Sequence, residues 1–177
     1  HISKRSATDI SIRYLKGGNA PNMVADHARA VIKAGSYDSI KEKIAEFRKN
    51  TGYQINAKGI GKNLEITTQG VSAHGARPEK GLNAISVMME LFGGIDLEND
   101  DGCGFEDKPS GKLIFNVGMV RIDGESASIT VNIRYPVTMN EEQVYEAILP
   151  VVNKYNLGIV KKEHKPPIFI AKDDKMI

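Results

Sequence analysis

Tryptophan is absent, and Cys103 is the only cysteine in 177 residues. A single thiol excludes an internal disulfide framework and points to a reducing, cytoplasmic setting. Aromatic residues make up only 6% of the chain, and its strand segments lack the stacking residues of an RNA-binding sheet. Neither sign of charge dominates: 24 basic and 22 acidic residues are interleaved to a formal net charge of +2. Composition therefore gives no reason to expect nucleic acid or a membrane surface as partner. No apolar run approaches the roughly 18 residues of a membrane span, and no signal-like apolar region opens the chain. The sequence begins on His1 rather than Met and ends on Lys175-Met176-Ile177; the expectation from these ends is a piece of a longer protein. A hydrophobic share of 41% is enough to bury a core in one domain or two small ones.

What is present is a succession of short periodic segments. Residues 10–15 form a strand with Ile10, Ile12 and Tyr14 in one phase, closed by Gly17-Gly18-Asn19. A returning strand over 23–33 places Val24, Ala28, Ala30 and Ile32 on one face. Asp38-Ser39 cap a helix over 40–49, which Thr51-Gly52 ends. Strands follow at 53–57 and 63–70, the latter alternating Leu64, Ile66 and Thr68 against Glu65, Thr67 and Gln69. Residues 96–110 read as a loop, and strands at 112–121 and 126–135 make a hairpin around Gly124. Asn140 with Gln143 reads as a capping box for a helix over 141–155, with Val144, Ile148, Val151 and Val152 inward. A last strand is expected at 157–161, and Lys165-Pro166-Pro167 reads as a linker.

Residues 8–58 and 112–162 repeat one pattern of strand, turn, strand, helix and strand. The fold class this predicts is α+β: antiparallel sheets with helices on one face, a ferredoxin-like unit and a partial second copy. Between the copies stands Gly70-Val71-Ser72-Ala73-His74-Gly75-Ala76-Arg77-Pro78. A helix is expected from Pro78, with Leu82, Ile85, Met88, Met89 and Phe92 at helical spacing up to Gly93-Gly94. His74 then sits on a strand-to-helix turn, where backbone N–H groups and the helix dipole favour an oxyanion or a polarised carbonyl.

Several motifs fail on chemistry. Gly70 to His74 is no nucleophile elbow, since His74 replaces the final Gly of G-x-S-x-G. The stretch 58–63 is no phosphate loop, because Asn63 cannot replace the Mg²⁺-binding hydroxyl. The four His and one Cys show no zinc spacing. Glu141-Glu142 are explained by the dipole of the helix they open. His27 and His164 read as structural or surface residues, and Cys103 as an incidental loop thiol.

The segment 70–85 resembles the lid-domain motif of the dinuclear-zinc aminoacylase and dipeptidase family, in the pattern G-x-x-A-H-G-x-x-P-x-x-G-x-N-A. Two further stretches, Lys16-Gly17-Gly18-Asn19-Ala20-Pro21-Asn22-Met23-Val24-Ala25-Asp26 and Asn132-Ile133-Arg134-Tyr135-Pro136-Val137-Thr138, narrow the likeness to PepV-type dipeptidases. The resemblance covers nearly the whole chain. It implies a lid domain over 1–165, with 166–177 returning to a catalytic domain absent from this chain. That domain would hold two Zn²⁺ ions, and this chain none: the family's H-x-D motif is missing. His74 would polarise the scissile carbonyl and stabilise the oxyanion. Arg134 would hold the free C-terminal carboxylate of a dipeptide, with Asn22 as a nearby hydrogen-bond donor. The loop at 96–110 is shorter than the family leads one to expect.

Each assignment has a plain competitor. A histidine on a turn can serve local capping, Arg134 lies on the polar phase of its strand, and Asn22 after Pro21 can simply shape a turn. The expectation is the substrate-recognition lid of a cytoplasmic zinc-dependent dipeptidase, inert without its catalytic domain. The alternative is a non-catalytic ferredoxin-like module for ligand binding or dimerisation.

Overall fold

Alternation of apolar and polar side chains builds most of this molecule, and the strands it dictates pair in one antiparallel sheet. The computed structural model describes residues 11–34, 37–93, 106–107, 111–124, 126–166 and 168. In chain order these form β1 (Ser11–Gly17), β2 (His27–Lys33), α1 (Asp38–Thr51), β3 (Gln54–Ile60) and β4 (Asn63–Gln69). A 3-10 turn (Pro78–Lys80), α2 (Ala84–Gly93), β5 (Glu106–Asp107), β6 (Gly111–Lys112), β7 (Ile114–Asp123), β8 (Ser126–Arg134) and α3 (Glu141–Lys154) follow. The six-stranded sheet runs β3-β4-β2-β1-β7-β8, and β5 with β6 makes a separate two-stranded ribbon. The α+β class expected from the sequence is the class observed. Among the described residues no helix is long and apolar enough to cross a membrane.

The chain divides into two units, His1–Asn99 with Asn116–Asn132, and Asp100–Phe115 with Ile133–Ile177. In the first, α1 and α2 lay their apolar stripes on one face of the sheet. Ile40 and Ile44 of α1, and Ile85 and Met88 of α2, join Leu15, Ala28, Ala30, Ile32, Ile55, Leu64 and Ile66 in a single core. Burying each of the larger side chains contributes about 1.5–3 kcal/mol. On the opposite face Arg29 pairs with Glu65 and lies over the Tyr14 ring at 5.6 Å, so that face stays polar.

Several local expectations change. In β1 the pairing with β2 slips by one residue between Ile12 and Tyr14; this bulge moves Leu15 into the core in place of Tyr14. Tyr37, not Asp38, occupies the N-cap of α1, and it makes no side-chain cap. The expected helix from Pro78 breaks in two: Pro78–Lys80 is a turn closed by Gly81 N to Pro78 O at 2.9 Å, and α2 begins only at Ala84. Residues 157–161 form no strand. Of the loop expected at 96–110, Glu106–Asp107 form β5, while Cys103 with the rest of 96–105 and 108–110 lies outside the described residues.

The second unit has its own small core of Leu113, Met139 and Val144, with Phe115, Ile133 and Tyr135 packed against it. The capping box of α3 is complete: Gln143 N donates to Asn140 Oδ1 at 2.9 Å, and Asn140 N donates to Gln143 Oε1 at 2.9 Å. Val151, expected inward, is exposed. In place of the expected last strand, the tail after α3 is held by side chains. Lys162 Nζ meets Glu141 Oε1 at 2.6 Å and His164 Nδ1 meets Glu141 Oε2 at 3.1 Å. Lys162 also lies 3.8 Å over the Tyr145 ring, and His164 Nε2 contacts the Tyr135 hydroxyl.

Three outcomes are expected. Leu64→Ala, at a fully buried site, should cost about 2–5 kcal/mol in denaturant unfolding. Asn140→Ala should cost about 1 kcal/mol through the lost cap. The Glu141 carboxyl is held below its ordinary 4.5, first by the hydrogen bond from Lys162 and, against some desolvation, by the charges of His164 and Lys162. Its folded-state value is depressed, so the tail contact is fully present above about pH 4.5 and is lost as pH falls through the lowered value. A carboxyl titration by NMR, read beside the amide chemical shifts of residues 162–164, should show the two events together. Glu141→Gln should remove the shift changes that accompany that titration.

Candidate functional site

Two stretches of the first unit leave the sheet without strands to join, 22–26 before β2 and 70–84 after β4. Buried backbone N–H and C=O groups need partners, and these stretches supply one another. Val24 N donates to Ala73 O at 2.8 Å, Gly75 N to Asn22 O at 2.8 Å, Gly70 N to Asp26 O at 2.8 Å and Ala84 N to Ala25 O at 2.7 Å. Val71 and Leu82 exchange both backbone bonds, at 2.8 and 2.9 Å, closing the base of the 70–84 loop. His74 forms an isolated bridge with Met23, and its carbonyl accepts from Arg77 N at 2.8 Å. The residue after it must be glycine, since a Cβ on Gly75 would stand 2.9 Å from Asn22 O.

His74 is exposed at the crest of this loop. Its Nδ1 accepts a hydrogen bond from Ala76 N at 3.1 Å. A neutral imidazole with Nδ1 engaged as acceptor carries its proton on Nε2, and the ring offers one N–H donor outward. The helix N-terminus that the sequence predicts beside His74 is not there, since α2 begins at Ala84. The first-turn N–H groups of Ile85 and Ser86 are taken by Asn83 Oδ1 at 2.9 and 3.4 Å. The donor at the crest is thus the imidazole itself.

Asn22 and His74 are brought together, but through the main chain: the backbone oxygen of Asn22 meets the His74 turn, and its side chain is exposed. Pro21 and Asn22 are the central residues of a turn whose Met23 N donates to Ala20 O at 3.3 Å, so the turn-shaping part of the competing account is met as well. Arg134 belongs to the second unit, as the last residue of β8. Its neighbours Ile133 and Tyr135 pack on the small core while Arg134 is exposed, an alternation that turns the guanidinium outward.

Two buried asparagines do work that the sequence reading did not assign. Asn83 Nδ2 donates to Val117 O at 3.0 Å, tying the start of α2 to β7. Asn116 Nδ2 donates to Met23 O at 2.9 Å and Pro21 O at 3.3 Å. Asn83 lies within the motif and could have been found there; Asn116 has no such signal. Among the described residues no group of three His, Cys, Asp or Glu is placed to hold a metal ion.

Residues 57–159, more than half the chain, match the family model described as the peptidase dimerisation domain of M20 peptidases. The match contains His74 and Arg134 and begins after Asn22. Among curated proteins the chain is similar to "Putative dipeptidase SAB1611c" of Staphylococcus aureus (strain bovine RF122 / ET3-1), 24% identical over 195 residues, covering 96% of this chain and 41% of that protein. It is equally similar to "Putative dipeptidase SAUSA300_1697" of Staphylococcus aureus (strain USA300), 24% identical over 194 residues with the same coverage. The chain thus spans 41% of the length of these relatives. A family match over more than half its residues places this chain in the M20 peptidase dimerisation domain family.

Proposed function

We propose that this chain is the substrate-recognition lid of a zinc-dependent dipeptidase whose catalytic domain lies outside it. The observation that carries the reading is His74 at the loop crest, fixed by Ala76 N at Nδ1 and left with Nε2–H as an outward donor. The names of the relatives, which call them dipeptidases, support the reaction class. As charge builds on the oxygen of a scissile carbonyl, a positioned donor of this kind typically contributes about 10²–10³ in rate. Arg134 offers a bidentate match to the free C-terminal carboxylate of a dipeptide. The Asn22 side chain, exposed beside the His74 turn, supplies a further donor. The described residues do not fit a zinc site; two zinc ions would belong to the catalytic domain, and the contribution of this chain is binding and charge stabilisation.

A second reading has its own observation. β8 is an edge strand, and Ile129 and Val131 on it are 61% and 40% exposed. An apolar edge of this kind suits pairing with another chain, the role of a non-catalytic binding or dimerisation module.

Hydrolysis assays separate the two. The full-length protein should cleave dipeptides, lose activity to a chelator and regain it with Zn²⁺ or Mn²⁺, while this chain alone stays inert. In the full-length protein His74→Ala should lower kcat about 10²–10³-fold with little change in KM. Arg134→Ala should raise KM about tenfold to hundredfold for substrates with a free C-terminus and leave C-terminally amidated ones unchanged. Equal and small effects from both substitutions would sink the lid assignment. A full-length protein inactive on every dipeptide would leave the binding module.

A further inference from the structure

Asn116 stands in the inward phase of β7 and is 2% exposed. A buried position of this kind usually takes an aliphatic side chain. Its carboxamide is only half used within the protein. Both donated bonds leave Nδ2, to Met23 O and Pro21 O, while the buried Oδ1 has no hydrogen-bond partner among the described residues. Turning the amide over would set an oxygen against two carbonyl oxygens, so the two acceptors fix its orientation. A buried acceptor left without a donor is a cost that native proteins rarely keep. What it secures is one loop, held at the two carbonyls that flank Asn22.

Other contacts act at the same place. Gly118, two residues along β7, allows the Pro21 backbone so close that a Cβ would stand 2.3 Å from its oxygen. Gly75 also lies close to the same amide: a Cβ there would stand 3.1 Å from Asn116 Nδ2. The loop held in this way then carries the His74 turn, through Gly75 N to Asn22 O, Val24 N to Ala73 O and the Met23–His74 bridge. A continuous path runs from a rigid strand, through one carboxamide and one loop, to the imidazole.

We infer that Asn116 is the positioning residue that sets the height and orientation of His74 by clamping the Pro21–Met23 backbone. Its importance for catalysis rests on the lid reading above; its mechanical action does not. Asn116 touches no substrate in this account and acts only through the loop.

The test has two arms. In this chain, Asn116→Leu keeps the volume and removes both donors, while Asn116→Asp keeps the shape and faces the two carbonyls with an oxygen. Both should speed amide exchange at Gly75 and Val24 about tenfold or more and leave Ile66 in the core protected. Imidazole ¹⁵N shifts should show His74 moving from a single Nε2–H tautomer to a mixture. Leu64→Ala, a core truncation elsewhere, serves as control and should not move the His74 tautomer. Should both variants fail to fold, the unaltered protein still decides: the Asn116 side-chain amide protons must exchange slowly, and exchange at the solvent rate overturns the inference. So does a variant whose Gly75 exchange and His74 shifts match the parent. In the full-length protein Asn116→Leu should lower kcat about tenfold with KM unchanged. If His74→Ala proves harmless while the exchange results hold, the lid reading fails and the clamp stands.

Discussion

Two loops that cannot satisfy their own backbones determine the rest of the functional architecture. The stretches 22–26 and 70–84 each carry N–H and C=O groups that the sheet does not reach, and they meet by pairing with one another. Either loop alone would leave buried polar groups open, so the two form together or not at all. The sheet brings their ends into register through the β2–β4 pairing, where His27 faces Gln69 and Ile32 faces Leu64. The strands that bury Leu64 and Ile66 thus carry the ends of both loops, while the turn at His74 is held by the bonds between the loops themselves.

The crest has little apolar burial of its own and depends on directional bonds. Arg77, Glu79 and Lys80 are exposed around it, and the support beneath comes from glycines and asparagines that admit close backbone approach. Asn83 and Asn116 illustrate a division of labour. One caps α2 and ties it to β7; the other ties the Pro21–Met23 turn to β7. Both flanks of the crest are thus tied to β7 by buried asparagines, one through its own Asn116 side chain and the other through the Val117 carbonyl that accepts from Asn83.

Much of the fold was legible from the sequence because alternation and caps are local. Leu64, Ile66 and Thr68 fall buried in the order their spacing dictates, and the Asn140–Gln143 box closes as four consecutive residues allow. Errors arose where a non-local event decided the outcome. The β1 bulge reverses the phase of Leu15 against Tyr14, and no propensity signals it. Pro78 suits a helix start, yet the Val71–Leu82 bridge pins Leu82 in extended backbone and delays α2 to Ala84. The stretch 157–161 reads as a strand on paper, but it forms none, and the tail beyond it is retained by Lys162 and His164 on Glu141, a contact between side chains distant in sequence. Asn116 was hidden by its neighbours: Phe115, Val117 and Met119 make the apolar phase of that strand on paper, whereas the buried phase is Asn116, Gly118 and Val120. The site itself was legible only as a motif around His74. The clamp beneath it depends on pairings across roughly ninety residues.

The hydrogen bond from Ala76 N to His74 Nδ1 limits what the ring can do with protons. An imidazole passes a proton from one partner to another only when one nitrogen can take it up while the other gives it away. Here the uptake side faces a main-chain amide that has no proton to surrender and accepts none. His74 is a terminus and not a wire: it can lend polarity to a neighbour, but it leads no charge through to the protein behind it.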